Sequence, residues 1–182
     1  SDSIAIVPAA LQYIRNRDAD FRYRQDSDFY YLSGFAEPEA VICIIPNRPQ
    51  GEFILFCREK DREREIWDGY RAGVEGAIEI FGADDSYPIS KLDEIIPVLM
   101  EGKKRLYVNL GAQPEFDARV MNWVNSLRAK TRQGAKAPAE FVMLNHLLHE
   151  LRLYKSADEL NIMRKAGTIS AHAHIRAMQK AK

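Results

Sequence analysis

The amino-acid sequence predicts an α/β protein in which helices pack on the faces of a mixed β-sheet. Short apolar runs rich in β-branched residues alternate, through roughly residue 150, with segments whose apolar residues recur every three or four positions. Apolar residues make up 46% and charged residues 29% of the 182 residues, a composition typical of globular proteins. No apolar run approaches the roughly 20 residues that a membrane-spanning helix needs, so we expect no membrane partner.

Apolar runs predict the strands of this sheet. Residues 4–10 are expected to form a buried strand, with Pro8 near its end. Residues 40–45 are expected to form a second strand, which a turn at residues 47–51 connects to an antiparallel partner at Phe53–Cys57. A further strand is expected at Arg105–Val108. Residues 30–34 lie between these runs and are expected to be extended or to turn.

The spacing of other apolar residues predicts helices. A charged stretch at residues 61–65 is expected to lead into a tight corner at residues 67–69, followed by a short helix at residues 74–81. Ser90 and Asp93 resemble a capping box that opens a helix through residue 100. The next helix begins at Pro114, and its apolar side is formed by Phe116, Val120, Trp123, Val124 and Leu127.

The C-terminal segment has a different character. Residues 156–159 form a capping box, and the apolar residues beyond it line one side of a helix of about 25 residues. Such a side needs a surface to pack against. The helix must pack on absent sequence, on a second copy or, poorly, on its own domain. Because the chain begins without Met and stops inside this pattern, we expect it to be a piece of a longer chain, with residues 1 to roughly 150 as one domain.

Net charge and cysteine content exclude several classes of function. Basic and acidic residues number 26 each, so the charge that attracts proteins to nucleic acid is missing overall, and we expect no nucleic-acid partner. The first half nevertheless carries an excess of acids and the second an excess of bases, which favours contact between halves of one chain or of two. Cys43 and Cys57 are expected to be buried thiols in a reducing compartment, which indicates the cytoplasm.

Motifs for common catalytic sites are absent. Neither a glycine-rich phosphate loop nor a GxSxG elbow occurs. His146 and His149 could in principle hold one metal ion, but partly buried structural histidines are the favoured interpretation because no carboxylate completes the shell. Residues 15–28 interleave charged and aromatic side chains. They predict either a polar network at a groove or subunit contact, or a surface net of salt bridges.

A run of motifs in one order resembles a known family. Residues 21–35 (FRYRQDSDFYYLSGF) and 37–41 (EPEAV) match the signature YRQ-x-SDF-x-Y-x-[ST]GF-x-EP-x-A; residues 65–69 (EIWDG), 137–139 (APA) and 149–156 (HELRLYKS) match further motifs. This pattern resembles the N-terminal domain of Xaa-Pro aminopeptidase, also called aminopeptidase P. The resemblance spans nearly the whole chain.

The resemblance implies a fold, an activity and a cofactor. The fold is the ribonuclease-H-like α/β layer of the creatinase and aminopeptidase P N-terminal domain. Full-length members are metallo-aminopeptidases that remove the residue before proline from Xaa-Pro peptides. Their following pita-bread domain holds two Mn(II)-type ions on two Asp, one His and two Glu, all beyond the position matching residue 182. Residues 1–154 then correspond to the N-terminal domain and residues 155–182 to the first helix of the pita-bread domain, and this fragment is expected to bind no metal and to be inactive.

The resemblance also implies substrate-binding residues. In this family the N-terminal domain builds a homo-oligomer and lends residues to a neighbouring subunit's cleft, and the matching positions are Asp18, Trp67 and Arg132. An Asp can receive the substrate's α-amine, an Arg can pair with its carbonyl or carboxyl groups, and a Trp offers proline a flat apolar wall. Core packing is the alternative for Trp67.

Two other functions share this architecture. One is a binding module like the histone-chaperone subunits that have lost the metal ligands. The other is a relative of prolidase or creatinase. The YRQ-x-SDF and EIW-x-G motifs favour the aminopeptidase.

Overall fold

The computed structural model describes residues 2–181, which form two compact units divided between Asn145 and His146. The first unit contains a six-stranded sheet and a separate two-stranded hairpin. The expected domain boundary after residue 154 stays a prediction.

The strands are β1 (Ser3–Pro8), β2 (Ile14–Asn16), β3 (Ala19–Asp20), β4 (Val41–Ile44), β5 (Phe53–Cys57), β6 (Asp85–Pro88), β7 (Arg105–Val108) and β8 (Glu140–Met143). The α-helices are α1 (Ser27–Ser33), α2 (Arg62–Asp68), α3 (Gly73–Glu79), α4 (Leu92–Met100), α5 (Pro114–Ala129), α6 (Leu144–Leu153) and α7 (Ala157–Lys180).

The six-stranded sheet is mixed, in the order β6-β5-β4-β1-β7-β8. β1 lies inside it, antiparallel to β4 and parallel to β7. β4 and β5 form the expected antiparallel hairpin, with Val41 opposite Phe56, and β6 and β8 join the edges in parallel. The predicted α/β class with a mixed sheet is therefore confirmed.

Both faces of the sheet are covered, which explains why its inner strands have continuous apolar sequences. Ile4, Ile6 and alternate residues of β4 and β5 pack against buried side chains of α4 and α5. The intervening residues, including Val7 and Ile42, are also buried, and α3 packs on β5 and β6.

Residues 30–34 form the end of a helix, so the expectation of an extended or turn segment is wrong. Asp26 caps α1, because its side chain accepts hydrogen bonds of 2.9 Å from the N–H groups of Asp28 and Phe29. Gly34 ends the helix in the left-handed region, with φ 64°. The two caps outweigh the extended preference of the aromatic residues between them.

Two other local expectations need correction. The expected corner at residues 67–69 is the end of a helix, because α2 includes Trp67 and Asp68 and ends at Gly69. Asp61 caps this helix through the N–H groups of Glu63 and Arg64. Ser90 does not cap α4: it lies in a 3₁₀ turn (Ile89–Lys91), and no side-chain capping bond occurs at the start of α4. The carboxylate of Asp93 is instead bound by Arg119 and Trp123.

The second unit contains α7, whose predicted capping box is confirmed. The Ser156 hydroxyl accepts a bond of 3.2 Å from the Glu159 N–H, and the Glu159 carboxylate accepts one of 2.7 Å from the Ser156 N–H. The helix is 24 residues long, close to the expected length, and no described residue of it is buried. Its exposed apolar side chains include Ile162, Met163, Ile169 and Met178. In the described residues, no helix is long and apolar enough to cross a bilayer.

Candidate functional site

The carboxyl ends of most strands meet at one edge of the sheet. Pro8 pairs with Val41, and Val41 with Phe56, so the end of β1, the start of β4 and the end of β5 lie side by side. The parallel partners β6, β7 and β8 end at the same edge, which we call the carboxyl edge. Loops at such an edge are positioned by the rigid sheet and commonly carry recognition residues.

Asp18 lies on a hairpin that emerges from the carboxyl edge after β1. It occupies the turn between β2 and β3, next to Arg17, whose φ is 51°, and it is exposed. The hairpin is closed by a backbone bond of 2.9 Å from the Phe21 N–H to the Tyr13 carbonyl. Local backbone pairing therefore holds residue 18 in place, and its carboxylate is accessible to solvent or to a ligand.

Trp67 also lies beyond the carboxyl edge, on the helix that follows β5. Its side chain is 87% exposed, and its neighbours Ile66 and Tyr70 are 78% and 67% exposed. The core-packing alternative for Trp67 is therefore wrong. Three large exposed apolar side chains within five residues are the kind of surface that ligands and partner proteins cover.

Arg132 lies at the opposite edge. α5 begins beyond the carboxyl edge and its 16 residues run back along the sheet, about 24 Å at 1.5 Å per residue. Arg132 follows in an exposed 3₁₀ turn (Thr131–Gln133), and the nearby Lys136 carbonyl accepts a bond of 2.9 Å from the Gly102 N–H, just before β7. Since β1 alone spans roughly 20 Å, one copy of the chain does not bring Arg132 together with Asp18 and Trp67.

The signature residues 23–26 form an internal polar network. The Gln25 side-chain oxygen accepts bonds from the Ala10 N–H (2.8 Å), the Tyr23 hydroxyl (2.9 Å) and the Asp26 N–H (2.9 Å). Its amide donates to the Phe35 and Glu37 carbonyls. Burial raises the pKa of Tyr23 to about 12, so its hydroxyl keeps its proton.

Outside this network, residues 15–22 carry no ion pair between described side chains, so the surface salt-bridge interpretation of residues 15–28 is wrong for this part of the segment. Arg15 instead lies 6.0 Å from the ring centre of Phe21. The hydrogen bonds of residues 23–26 thus hold the segment between β1 and α1 at the carboxyl edge of the sheet.

A buried cluster of charged groups lies beneath α2. The Glu37 carboxylate accepts a bond of 2.7 Å from the Ala72 N–H and lies 3.5 Å from the Arg58 guanidinium. The Arg71 guanidinium donates to Asp68 at 2.8 Å, and the Arg71 N–H donates to Glu65 at 2.8 Å. Sequence reasoning missed this cluster, because nothing local in the sequence marks Arg58 and Arg71 as buried.

The other candidate groups show no catalytic arrangement. Cys43 and Cys57 are free and buried as expected, and burial raises the pKa of Cys57 to about 11 and that of Cys43 further still. His146 and His149 are exposed on α6, so the expectation of partial burial is wrong. Across residues 2–181, no group of three or more His, Cys, Asp or Glu side chains could hold a metal ion.

A family model described as "Aminopeptidase P, N-terminal domain" matches residues 1–107. The chain belongs to this family. The match begins before β1 and ends within β7, so it includes Asp18 and Trp67 but not Arg132.

Relatives and solved structures extend this similarity to nearly the whole chain. The chain is 37% identical to Xaa-Pro aminopeptidase of Escherichia coli over 98% of its own length and 41% of the relative's. It matches the structure of Pseudomonas aeruginosa aminopeptidase PepP with 61% identity and a TM-score of 0.96, over 98% of this chain and 40% of that one. It is 30% identical to the mitochondrial intermediate cleaving peptidase 55 of Arabidopsis thaliana, over 100% of this chain and 34% of the relative.

The chain therefore spans about two fifths or less of the length of these relatives. Two solved structures of the E. coli aminopeptidase P match with 37% identity and a TM-score of 0.93, over 98% of this chain and 41% of those chains: a zinc-substituted form in complex with product and a variant in complex with substrate.

Proposed function

We propose that this chain is the N-terminal, non-catalytic part of an Xaa-Pro aminopeptidase, which removes the N-terminal residue that precedes proline in a peptide. The observation that carries the proposal is the continuous similarity to such enzymes across almost all of the chain. The motifs at residues 21–41 and 65–69 are the same ones that build the carboxyl edge and α2. We further propose that the protein works in the cytoplasm, where two buried free thiols are stable.

The metal chemistry belongs elsewhere in this proposal. The described residues do not offer the donor set for a pair of Mn(II)-type ions, since they contain no cluster of metal-binding side chains. Two such ions activate water and stabilise the oxyanion in metallo-aminopeptidases. We assign them to the part of the relatives' length that this chain does not span, so the chain alone is inactive.

The chain contributes substrate-binding residues instead. The Asp18 carboxylate is exposed on its hairpin and can receive the α-amine of the peptide. The exposed indole of Trp67 can pack on the proline ring. The Arg132 guanidinium can pair with the peptide's carbonyl or carboxyl groups.

The placement of these residues supports a shared cleft. Asp18 and Trp67 lie at one edge of the sheet and Arg132 at the other, so one copy does not place all three around one peptide. In a homo-oligomer, copies can contribute residues from different edges to each cleft. The opposite charge of the two halves of the sequence favours such contacts.

The test is peptide hydrolysis by the full-length protein with added Mn(II). We expect cleavage of an Xaa-Pro peptide but not of the matched Xaa-Ala peptide, and none by residues 1–182 alone. Trp67→Ala and Asp18→Ala are each expected to raise KM about tenfold, whereas Glu63→Ala, on the same exposed helix as Trp67, leaves it unchanged. Equal cleavage of the two peptides, or activity of residues 1–182, would overturn the proposal.

A further inference from the structure

The helix that carries Trp67 is not held by apolar packing. No residue of α2 is buried, and Ile66 and Trp67 point away from the core. An open polar groove of about 680 Å³, lined in part by Arg58, Arg64 and Arg71, adjoins the helix. Since a helix of seven residues is marginal by itself, other contacts must fix its position.

Arg71 supplies two of those contacts. Its backbone N–H donates to the Glu65 carboxylate and its guanidinium donates to the Asp68 carboxylate, both at 2.8 Å. Glu65 and Asp68 flank Trp67 in the sequence. The chain reverses between them and Arg71 at Gly69, whose φ of 85° suits glycine.

Arg71 is in turn fixed to the sheet. Its side chain is only 9% exposed, and the next residue, Ala72, donates its N–H to Glu37 at 2.7 Å. Glu37 faces the buried guanidinium of Arg58, which directly follows β5. A path that starts with the Arg58–Glu37 ion pair and continues through hydrogen bonds of residues 71–72 therefore runs from the sheet to both sides of Trp67.

We propose that Arg71 is a positioning residue for substrate binding: its guanidinium sets the place and orientation of the Trp67 indole through Asp68, beside the bond from its backbone N–H to Glu65. The inference rests on the proposed role of Trp67 as a wall for proline. Charge-assisted hydrogen bonds from a buried residue have a narrow geometry, so they hold the helix in one orientation without covering the face that the substrate uses.

A double-mutant cycle in the full-length enzyme tests this inference. Arg71→Met keeps the length and apolar stem of the side chain but removes the bond to Asp68. It is expected to raise KM for an Xaa-Pro peptide about tenfold with kcat changed less than about twofold. Asp68→Asn, which changes an exposed partner, is expected to act in the same direction. Arg62→Met removes an exposed guanidinium from the same helix and is expected to leave both constants unchanged.

The cycle separates this inference from the proposed function. In a Trp67→Ala background, Arg71→Met is expected to have no further effect on KM, because its effect passes through Trp67. Suppose that Trp67→Ala raises KM. If Arg71→Met then leaves KM unchanged, or raises it equally in the wild type and in Trp67→Ala, the positioning role of Arg71 is wrong while the proposed function stands. If Trp67→Ala leaves KM unchanged, the role of Trp67 in binding fails.

A second readout does not depend on activity. Hydrogen exchange of the backbone amides of residues 63–70 is expected to be about tenfold faster in Arg71→Met than in the wild type or in Arg62→Met. Unchanged exchange in Arg71→Met would show that Arg71 does not hold the helix, and would overturn the inference whatever the kinetics.

Discussion

The side-chain oxygen of Gln25 accepts a hydrogen bond of 2.8 Å from the backbone N–H of Ala10, 15 residues earlier in the chain. This bond joins the segment before α1 to the segment that leaves β1. The same side chain binds the carbonyls of Phe35 and Glu37 on the far side of α1. One glutamine thus connects three stretches of backbone that have no regular secondary structure to pair them.

Replacing Gln25 is expected to destabilise the fold. Gln25→Leu has a similar size but leaves partly buried N–H and C=O groups without hydrogen-bond partners. Each such group that water does not reach costs about 1–3 kcal/mol of stability. We expect a loss of about 3 kcal/mol in the free energy of unfolding, measured by urea denaturation. The matched change Gln50→Leu, in an exposed turn, is expected to stay within about 0.5 kcal/mol of the wild type. Equal effects of the two changes would contradict the structural role of Gln25.

Gly51 is expected to tolerate no side chain. Its φ is 111°, and a Cβ atom there would lie 2.1 Å from the Cβ of Asp84. Asp84 is held in place because its carboxylate accepts the N–H groups of Glu52 and Phe53. We expect Gly51→Ala to lower the unfolding free energy by about 3 kcal/mol, through strain and lost hydrogen bonds.

Gly82 is the matched control for this prediction. Its φ of 69° is also positive, but no atom lies within 4 Å of the position a Cβ would take. Gly82→Ala is expected to lower the unfolding free energy by only about 1 kcal/mol. Similar losses for both variants, measured by thermal denaturation, would argue against the clash at Asp84.

Asp93 is expected to contribute stability that depends on pH. The Arg119 guanidinium, and secondarily the Trp123 indole N–H, hold the pKa of Asp93 below its usual value of 3.8. A carboxyl group with a lowered pKa in the folded state stabilises the fold above its unfolded pKa, and that contribution disappears as the pH falls through the folded pKa. Because the side chain is 61% exposed, we expect a contribution of at most about 1 kcal/mol.

The measurement compares unfolding free energies at pH 7 and near pH 2.5. Asp93→Asn is expected to be less stable than the wild type at pH 7, and the difference is expected to shrink at low pH. Glu101→Gln removes an exposed carboxylate that no described side chain pairs with, and it serves as the control. If Asp93→Asn is as much less stable than the wild type at pH 2.5 as at pH 7, its loss of stability has a cause other than the charge of Asp93.

The exposed apolar side of α7 is expected to make the isolated chain self-associate. Met163 and Ile169 are 54% and 61% exposed, and a helix with such a side needs a covering surface. Light scattering at tens of micromolar is expected to show oligomers, and the double variant Met163→Glu/Ile169→Glu is expected to be smaller. Thr168→Glu, on another side of the same helix, keeps the wild-type size. A monomeric wild-type chain would contradict the prediction.

Apolar periodicity predicted the elements that are buried through their own apolar residues. β1, β4, β5 and β7 are apolar runs, and the apolar residues of α5 recur with helical spacing, so these elements were predictable. The strands β6 (DSYP) and β8 (EFVM) were missed because they lie at the edges of the sheet, where pairing with β5 and β7 determines their structure. α1 was missed because its caps, Asp26 and Gly34, determine its helical structure more than its aromatic residues do.

The candidate site was less accessible to pattern analysis. Asp18, Trp67 and Arg132 were singled out by the resemblance to a family, since none of them has a local signature of binding. The fold adds what the sequence does not contain, namely that Arg132 lies at the far edge of the sheet. The burial of Arg71 also depends on contacts with residues distant in sequence, such as Glu37, and therefore had no local signal.

The central place of the first strand has a consequence for how this chain is synthesised. The strand pairs with β7, where Ile4 lies opposite Leu106, so its second neighbour leaves the ribosome about 100 residues later. At translation rates of about 5–20 residues per second, the nascent chain carries an apolar strand with one unpaired side for roughly 5 to 20 seconds. During that interval, chaperones that recognise extended apolar segments have a natural target in this strand.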